Sequence, residues 1–388
     1  MNKTDTKHFI ALCPEESKAS LVKELSDLST INIKTSYRCV HFEANKNLSY
    51  ECHLKLRTAS SILEVIKSFT FTNLSAFSSR IYKIKWHEIF SYNTRFNVES
   101  IVTKKNDPNL KSSHLSSRFI KALEARVKKE TNSNPPYSKK DPQLTFVIYL
   151  DQKKIFISVK TSGKSLHKRG YRLPGHNAPI KETLAASILQ FMDYRGQTTL
   201  FDPMCGSGTI AIEAAYIALN KASQIHRKQS DFSLPLLKDF DHKIFKEVQD
   251  KIRGEKLSQL EHPIYASDID KEHTNLAQKN ALRARVEKFI DFKQQDFFKT
   301  DPPCENGYLV ANLPYGQRLH KNQSLDDLYS QVGRHLKHKY MGWKAGLFVK
   351  KDTNWKKIGF KPQKKILLKN GSIYTLLLIF DIYKGKRT

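Results

Sequence analysis

Two segments of this chain carry residue types suited to chemistry on a weakly nucleophilic nitrogen. The first is Asn312-Leu313-Pro314-Tyr315-Gly316, which directly follows the apolar run 308–311. The exocyclic amino nitrogen of guanine or adenine has its lone pair delocalised into the ring. A site that uses it must hold both N–H groups with acceptors and aim the nitrogen at an electrophile. The Asn312 side-chain oxygen and a main-chain carbonyl at Leu313 supply two acceptors, Pro314 fixes the turn, and Tyr315 offers a stacking face for the base. The same pentapeptide also reads as a strand followed by an ordinary Pro-Tyr-Gly turn. What separates the two readings stands well upstream.

There, Phe201-Asp202-Pro203-Met204-Cys205-Gly206-Ser207-Gly208-Thr209 marks a buried strand turning into a helix, the place where open α/β sheets bind their ligands. Gly206 and Gly208 let a ligand approach the backbone, and the helix N-terminus faces it. No Gly-Lys-Ser/Thr follows, so this is not a P-loop. Taken alone, it could pass for a dinucleotide fingerprint. Asp268, after the strand 264–267, is an acceptor-only carboxylate suited to two ribose hydroxyls. Asp296, after the next strand, could receive an adenine amino group. Each acid is also a candidate helix cap, with Asp268 or Asp270 able to cap a helix over 271–281; their places at successive strand ends favour the ligand reading. Cys205 lies inside the loop and reads as packing.

Composition narrows the partner. The 388 residues include 66 Lys+Arg against 38 Asp+Glu, a formal charge of +28, so a polyanion is expected. The charge is spread in pairs such as Lys168-Arg169, Lys350-Lys351, Lys356-Lys357 and Lys364-Lys365, not gathered in a tail. Five cysteines, none in a C-x-x-C pair, argue against a disulfide framework and a zinc site and fit the reduced cytoplasm. No run of about 18 apolar residues occurs, so neither a membrane span nor a signal peptide is expected.

The elements that must position these residues fall into two styles. An α+β beginning has strands at 8–13, 31–42 and 62–71 with helices at 15–28 and 48–56. The pattern restarts from about 81 with a strand at 96–103, a basic helix at 113–129 and a hairpin of 144–150 with 153–160 turning at Asp151-Gln152. Asn134-Pro135-Pro136-Tyr137 spells a similar tetrapeptide, but no cofactor loop precedes it, and it reads as a turn. After Pro174-Gly175 comes a helix at 179–191, then alternating strands and helices, which imply a parallel sheet covered on both faces. Asn370-Gly371 predicts an antiparallel hairpin at the end of that sheet. The charged stretch 221–262 is long for an α/β connection and reads as an insertion.

Four ordered segments together resemble the THUMP-domain RNA methyltransferases, and within them the bacterial large-subunit ribosomal RNA guanine-N2 methyltransferases and their transfer-RNA-modifying relatives. These are Leu166-His167-Lys168-Arg169-Gly170-Tyr171-Arg172, Ala178-Pro179-Ile180-Lys181-Glu182-Thr183-Leu184-Ala185, the loop 202–209, and Asn312 to Gly316 with Arg318-Leu319. The resemblance implies an α/β class I Rossmann-like methyltransferase domain over 164–388, with a C-terminal antiparallel hairpin and the insertion near 221–262. A ferredoxin-like domain over 1–70 and a THUMP domain over 71–163 precede it.

It further implies S-adenosylmethionine held by Lys181, Thr183, Asp202, Pro203, Cys205, Gly206, Gly208, Thr209, Asp268, Asp296 and Asn312. Catalysis falls to Asn312, Leu313, Pro314 and Tyr315, and RNA contact to Lys168, Arg169 and Arg172. The implied acceptor is guanosine N2 in 23S rRNA, with transfer RNA next and no metal. Leu313 replaces the Pro of the commoner Asn-Pro-Pro-Tyr form, and Gln317 stands where an acid is frequent. A nicotinamide-dependent oxidoreductase, an RNA-binding factor without catalysis, and an amino-methylating enzyme acting on DNA or protein are the competing readings.

Overall fold

In the computed structural model, the described residues are 6–103, 110–173, 180–314 and 324–383. They form two units: Met1–Leu166 together with Arg227–Lys251, and His167–His226 together with Ile252–Thr388.

The first unit is built on strands β1 (Lys7–Leu12), β2 (Ile31–Ser36), β3 (Cys39–Ala44), β4 (Ser61–Thr70), β5 (Phe96–Val102), β6 (Leu144–Asp151) and β7 (Lys154–Val159). Its helices are α1 (Lys18–Asp27), α2 (Lys46–Lys55), α3 (Leu74–Tyr82) and α4 (Ser112–Thr131). The strands make one sheet in the order β2-β3-β1-β4-β7-β6-β5. β4 is the shared member: Ser61 to Glu64 pair with β1, and Glu64 to Thr70 pair with β7 across a register shift between Val65 and Lys67. A boundary expected near residue 70 therefore falls at the end of a strand that belongs to both halves.

Three local expectations are corrected here. The single strand 31–42 is two strands, because Arg38 at φ 56° reverses the chain between β2 and β3. Helix α3, absent from the sequence reading, turns Phe77 and Ile81 into a core with Trp86, Phe119 and Phe146. In the β6–β7 hairpin Asp151 pairs with Lys154, so the two loop residues are Gln152 and Lys153. The Asn134-Pro135-Pro136-Tyr137 segment is a connection in which Tyr137 packs edge-on against Phe96.

The second unit opens with α5 (Glu182–Phe191), β8 (Leu200–Asp202) and α6 (Thr209–Ala218). The chain then supplies Arg227–Lys251 to the first unit, including most of α7 (His242–Gly254), so the stretch read as an insertion divides between the two. There follow β9 (Ile264–Asp268), α8 (Lys271–Arg283), β10 (Ile290–Gln294), β11 (Tyr308–Asn312), α9 (Leu325–Lys339), β12 (Lys344–Lys350), β13 (Lys364–Asn370) and β14 (Ile373–Asp381). The sheet order is β10-β9-β8-β11-β12-β14-β13. β8 to β12 run parallel, and β14 pairs antiparallel with both β12 and β13. The C-terminal hairpin forms as expected, with Asn370 pairing to Ile373 and Gly371-Ser372 as its loop.

Side chains alternate between the two helical layers with period two. Leu200, Val310 and Phe348 enter one core with α5, α6 and α8, whereas Phe201, Leu309, Ala311, Leu347 and Val349 enter the other with α9. Both faces are thus buried, which is why these strands read as continuous apolar runs. On α9, a Cβ at Gly333 would lie 1.8 Å from the Ile358 carbonyl oxygen, a backbone atom that has no side-chain freedom to yield. Gly333→Ala is expected to destabilise this unit by about 2 kcal/mol or more through overpacking. A thermal melt checks it, and an unchanged midpoint would remove the close approach from the account.

Candidate active site

The parallel register brings the expected chemistry to one edge. β8 ends at Asp202, β9 at Asp268 and β11 at Asn312, and the three strands are neighbours in the order β9-β8-β11. The loop after β8 is tied to β9. The Cys205 N–H donates to the Ser267 carbonyl at 2.8 Å, and the Gly206 N–H donates to Asp268 Oδ2 at 2.9 Å. Gly208 adopts φ +78°, and a Cβ there would meet the Ala277 side chain at 2.9 Å, so helix α8 packs directly on the loop. Only glycine suits that combination of positive φ and close approach.

Asp202 is 1% exposed, and among the described residues only the Met204 amide approaches its carboxyl, without reaching full hydrogen-bond geometry. Burial, reinforced by the neighbouring Asp268 charge, holds its pKa well above the usual carboxylate range, with the Met204 amide pulling weakly the other way. A buried carboxyl short of partners is costly, and a hydrogen-bonding or cationic group beside it would remove the cost.

Asp268 is differently placed: its Oδ1 accepts the Asp270 N–H at 3.1 Å and lies 3.3 Å from His273 Nδ1. Asp270, not Asp268, caps α8, accepting the Glu272 N–H at 2.7 Å. This leaves the spare lone pairs of Asp268 for a ligand, and exposed Ile269 beside it offers an apolar face. Asp296 caps a short 3-10 turn by accepting the Phe298 N–H at 3.0 Å.

Asn312 closes β11 with its Oδ1 buried and, among the described residues, without a partner. Leu313 is fixed behind it, buried, its N–H continuing the ladder to the Phe348 carbonyl at 3.1 Å. Pro314 follows; Tyr315, with Gly316 to Leu319, lies outside the described residues. Burial and the charges of Asp202 and Asp268 push the Cys205 thiol well up, so it is a packed, protonated side chain. Among the described residues no cluster of His, Cys, Asp and Glu has the makings of a metal site.

The expected RNA contacts need correction. Arg169 is 2% exposed, its Nε 3.4 Å from Glu213 Oε1, and the same oxygen accepts from the Tyr171 hydroxyl at 3.2 Å. Arg172 donates through Nη2 to the Ile180 carbonyl at 2.8 Å and to Thr209 Oγ1 at 2.9 Å, with Glu182 3.3 Å from its Nε. Arg169 is internal, and Arg172 is committed to joining the start of α5 to the start of α6. Lys168 alone of the three is exposed. Burial and the surrounding cations lower His167 to about 4, so it brings no charge at neutral pH. The sequence held the missed signal: Glu213 is the one charged residue of the apolar helix α6, and a buried carboxylate calls for a buried cation.

Lys181 is the exposed N-cap residue of α5, and Thr183 is buried in its first turn. Asn280, unremarked in the sequence, accepts the Leu173 N–H through Oδ1 and donates to the Ser207 carbonyl, both at 2.9 Å. It fastens the 169–173 segment to the glycine loop.

Comparison with known proteins identifies the family. Residues 169–379 match the RMKL-like methyltransferase domain. The chain belongs to that family. Residues 71–160 match the THUMP domain and 8–63 the RlmL ferredoxin-like domain. The chain is 28% identical over 379 residues to "Putative RNA methyltransferase slr0064" of Synechocystis sp., covering 97% of each. It is 30% identical over 380 residues to "Ribosomal RNA large subunit methyltransferase K/L" of Shewanella baltica, where 97% of this chain spans 53% of that one, about half its length. The crystal structure of SMU.472 complexed with SAH superposes with a TM-score of 0.85 at 26% identity, over 99% of this chain and 100% of that one. This is an α/β RMKL-like methyltransferase with ferredoxin-like and THUMP domains before its Rossmann-like sheet.

The buried Asp202 predicts an unusual pH response. Its native pKa is raised, so the folded state keeps a proton that the unfolded chain releases above about pH 4. The unfolded state then binds fewer protons, and this group's contribution to stability falls as pH rises. Asp202→Asn is expected to flatten that slope and raise the ligand-free melting temperature at neutral pH. Melting curves across pH 4 to 7 check this; a less stable variant at pH 7 would refute it.

Proposed function

We propose that this chain transfers the methyl group of S-adenosylmethionine to N2 of a guanosine in 23S ribosomal RNA, in the cytoplasm. The carrying observation is the buried Asn312 Oδ1 at the end of β11, one strand from the buried Asp202 carboxyl, both without a hydrogen-bond partner among the described residues. S-adenosylmethionine, when bound, supplies an electrophilic methyl on a cationic sulfur and brings an ammonium group. With a cation beside it, Asp202 gives up its proton and balances that positive charge. Asp268 accepts from ribose hydroxyls, Asp296 receives the adenine amino group, and Pro203, Cys205, Gly206, Gly208 and Thr209 line the loop, with Lys181 and Thr183 at the start of α5.

On the acceptor side, Asn312 Oδ1 takes one N2 hydrogen and the Leu313 carbonyl the other, which fixes the nitrogen's direction. Pro314 holds the turn and Tyr315 stacks on the base. An amide cannot act as a base, so Asn312 orients and does not deprotonate; the methylated nitrogen loses its proton to water. The charge of +28 and the THUMP match support RNA as the partner, with exposed Lys168 contributing. The sequence likeness to the ribosomal enzyme of Shewanella baltica supports ribosomal over transfer RNA.

Asn312→Ala is expected to lower methyl transfer about 100-fold or more, the scale of losing one oriented polar group at a reacting centre, with donor affinity retained in calorimetry. Full activity would sink the role. Tritium transfer from labelled donor, offered 23S rRNA, transfer RNA, DNA and protein and followed by nucleoside mapping, tests the acceptor; label in DNA or protein alone would overturn it. Asp268→Ala should weaken donor binding roughly 10- to 100-fold. Unchanged affinity would reduce Asp268 to a loop anchor.

A further inference from the structure

The strand order places a second, unassigned surface on the same end of the sheet as Asn312. β12 is parallel to β11, with Phe348 opposite Asn312, and β13 runs parallel to β12 through the antiparallel β14. The β13–β14 turn and the end of β12 therefore point the way β11 points. Tyr374, at the start of β14, has its carbonyl bonded by the Lys351 N–H at 3.0 Å. Two strand spacings and three residues of rise put it roughly 14 Å from Asn312.

This corner is basic and aromatic at once. From Lys350 to Tyr374 the chain has eight lysines against the single acid Asp352. Seven of them, all but Lys350, are exposed, and none of those seven pairs with a carboxylate among the described residues. On the edge strand, Lys365, Leu367 and Lys369 share a face with Tyr374, since Lys369 lies directly opposite it. The Lys369 and Lys351 ammonium groups lie 5.0 and 5.8 Å from the Tyr374 ring centre, and the ring is 46% exposed. Leu367 beside it is 39% exposed.

Lysines on an edge strand also discourage pairing with other strands. That accounts for those on β13. It leaves unexplained Lys351, outside the edge strand, and the uncovered Tyr374 and Leu367, which a surface built only to repel other strands would avoid.

We propose that this corner seats an unpaired stretch of RNA flanking the target nucleotide, with Tyr374 stacking on a base and Lys351, Lys365 and Lys369 contacting phosphates. Cations and an open aromatic face together are what a single strand needs, because a duplex presents phosphates but hides its base faces. The inference rests on the RNA reading above and extends the substrate contact beyond the base that reacts. It also gives the lysine pairs at 350–351 and 364–365 a use within the catalytic unit.

The test compares a mixed-sequence, fluorescein-labelled single-stranded oligoribonucleotide with its annealed duplex, titrated across salt concentrations. The full chain carries Lys351→Gln, Lys365→Gln and Lys369→Gln together, or Tyr374→Ala, or Tyr374→Phe. The triple variant should lose single-strand affinity and flatten the slope of log K against log salt by about 2, from roughly 0.7 per phosphate contact. Tyr374→Ala should weaken single-strand binding about 5-fold or more and duplex binding hardly at all, and Tyr374→Phe should keep wild-type affinity. Donor binding in calorimetry stays unchanged in all three, which shows that each is folded. Unchanged slope and affinity in the triple variant would overturn the proposal, as would equal losses on single strand and duplex. Absence of methyl transfer by the wild type would count against the proposed function alone, because this assay reads binding without turnover.

Discussion

Parallel pairing of β8 with β9 and β11 is the constraint on which the catalytic unit depends. β8 is only three residues long, yet it sets Asp202 beside the end of β9 and one strand from Asn312. Because strands in a parallel sheet all end at the same edge, a register fixed by apolar packing also fixes where the polar residues meet. Leu200 and Phe201 enter opposite cores, so a one-residue slip would bury the wrong side chains on both faces at once. The chemistry is thereby held by groups that take no part in it.

Two buried carboxylates on neighbouring elements are treated in opposite ways. Glu213, in the middle of α6, is neutralised inside the protein by Arg169 and shares its oxygen with Tyr171. Asp202, at the strand end, is given no such partner. The first is an internal ion pair, with Glu213 Oε1 shared and Oε2 left without a hydrogen-bond partner among the described residues, whereas the second leaves both carboxyl oxygens without one. Arg172 and Asn280 then brace the loop, Arg172 from the 169–173 segment through Thr209 and Asn280 from α8 through Ser207. Residues 169–173, basic in sequence, are therefore largely scaffolding of the glycine loop.

Much of this was legible from the residue types. The glycine loop, Asp268, Asn312, the alternating strands and the final hairpin all follow from local spacing, because each is a local demand on the backbone or a strand end. The pairing of Arg169 was not legible as a pairing: it joins residues 44 positions apart, and its sequence context reads equally as a basic surface. Helix α3 escaped because only Phe77 and Ile81 of its nine residues are buried, a stripe too short to stand out. The Asp268–Asp270 ambiguity needed coordinates, since either acid satisfies the same capping rule and only the hydrogen bonds say which one is spent.

The shared strand of the first unit bears on how that unit can fold. β4 gives its first residues to β1 and its remaining ones to β7, so the segments matched as ferredoxin-like and THUMP domains draw on a single ladder. Neither segment can be excised without leaving a row of main-chain donors and acceptors bare, and bare edges invite association between chains. Cooperativity should therefore extend across the junction, with amides on both sides of β4 exchanging with solvent in one concerted opening. Evolution can vary the loops of either segment freely, but the strand between them must satisfy two neighbours at every substitution.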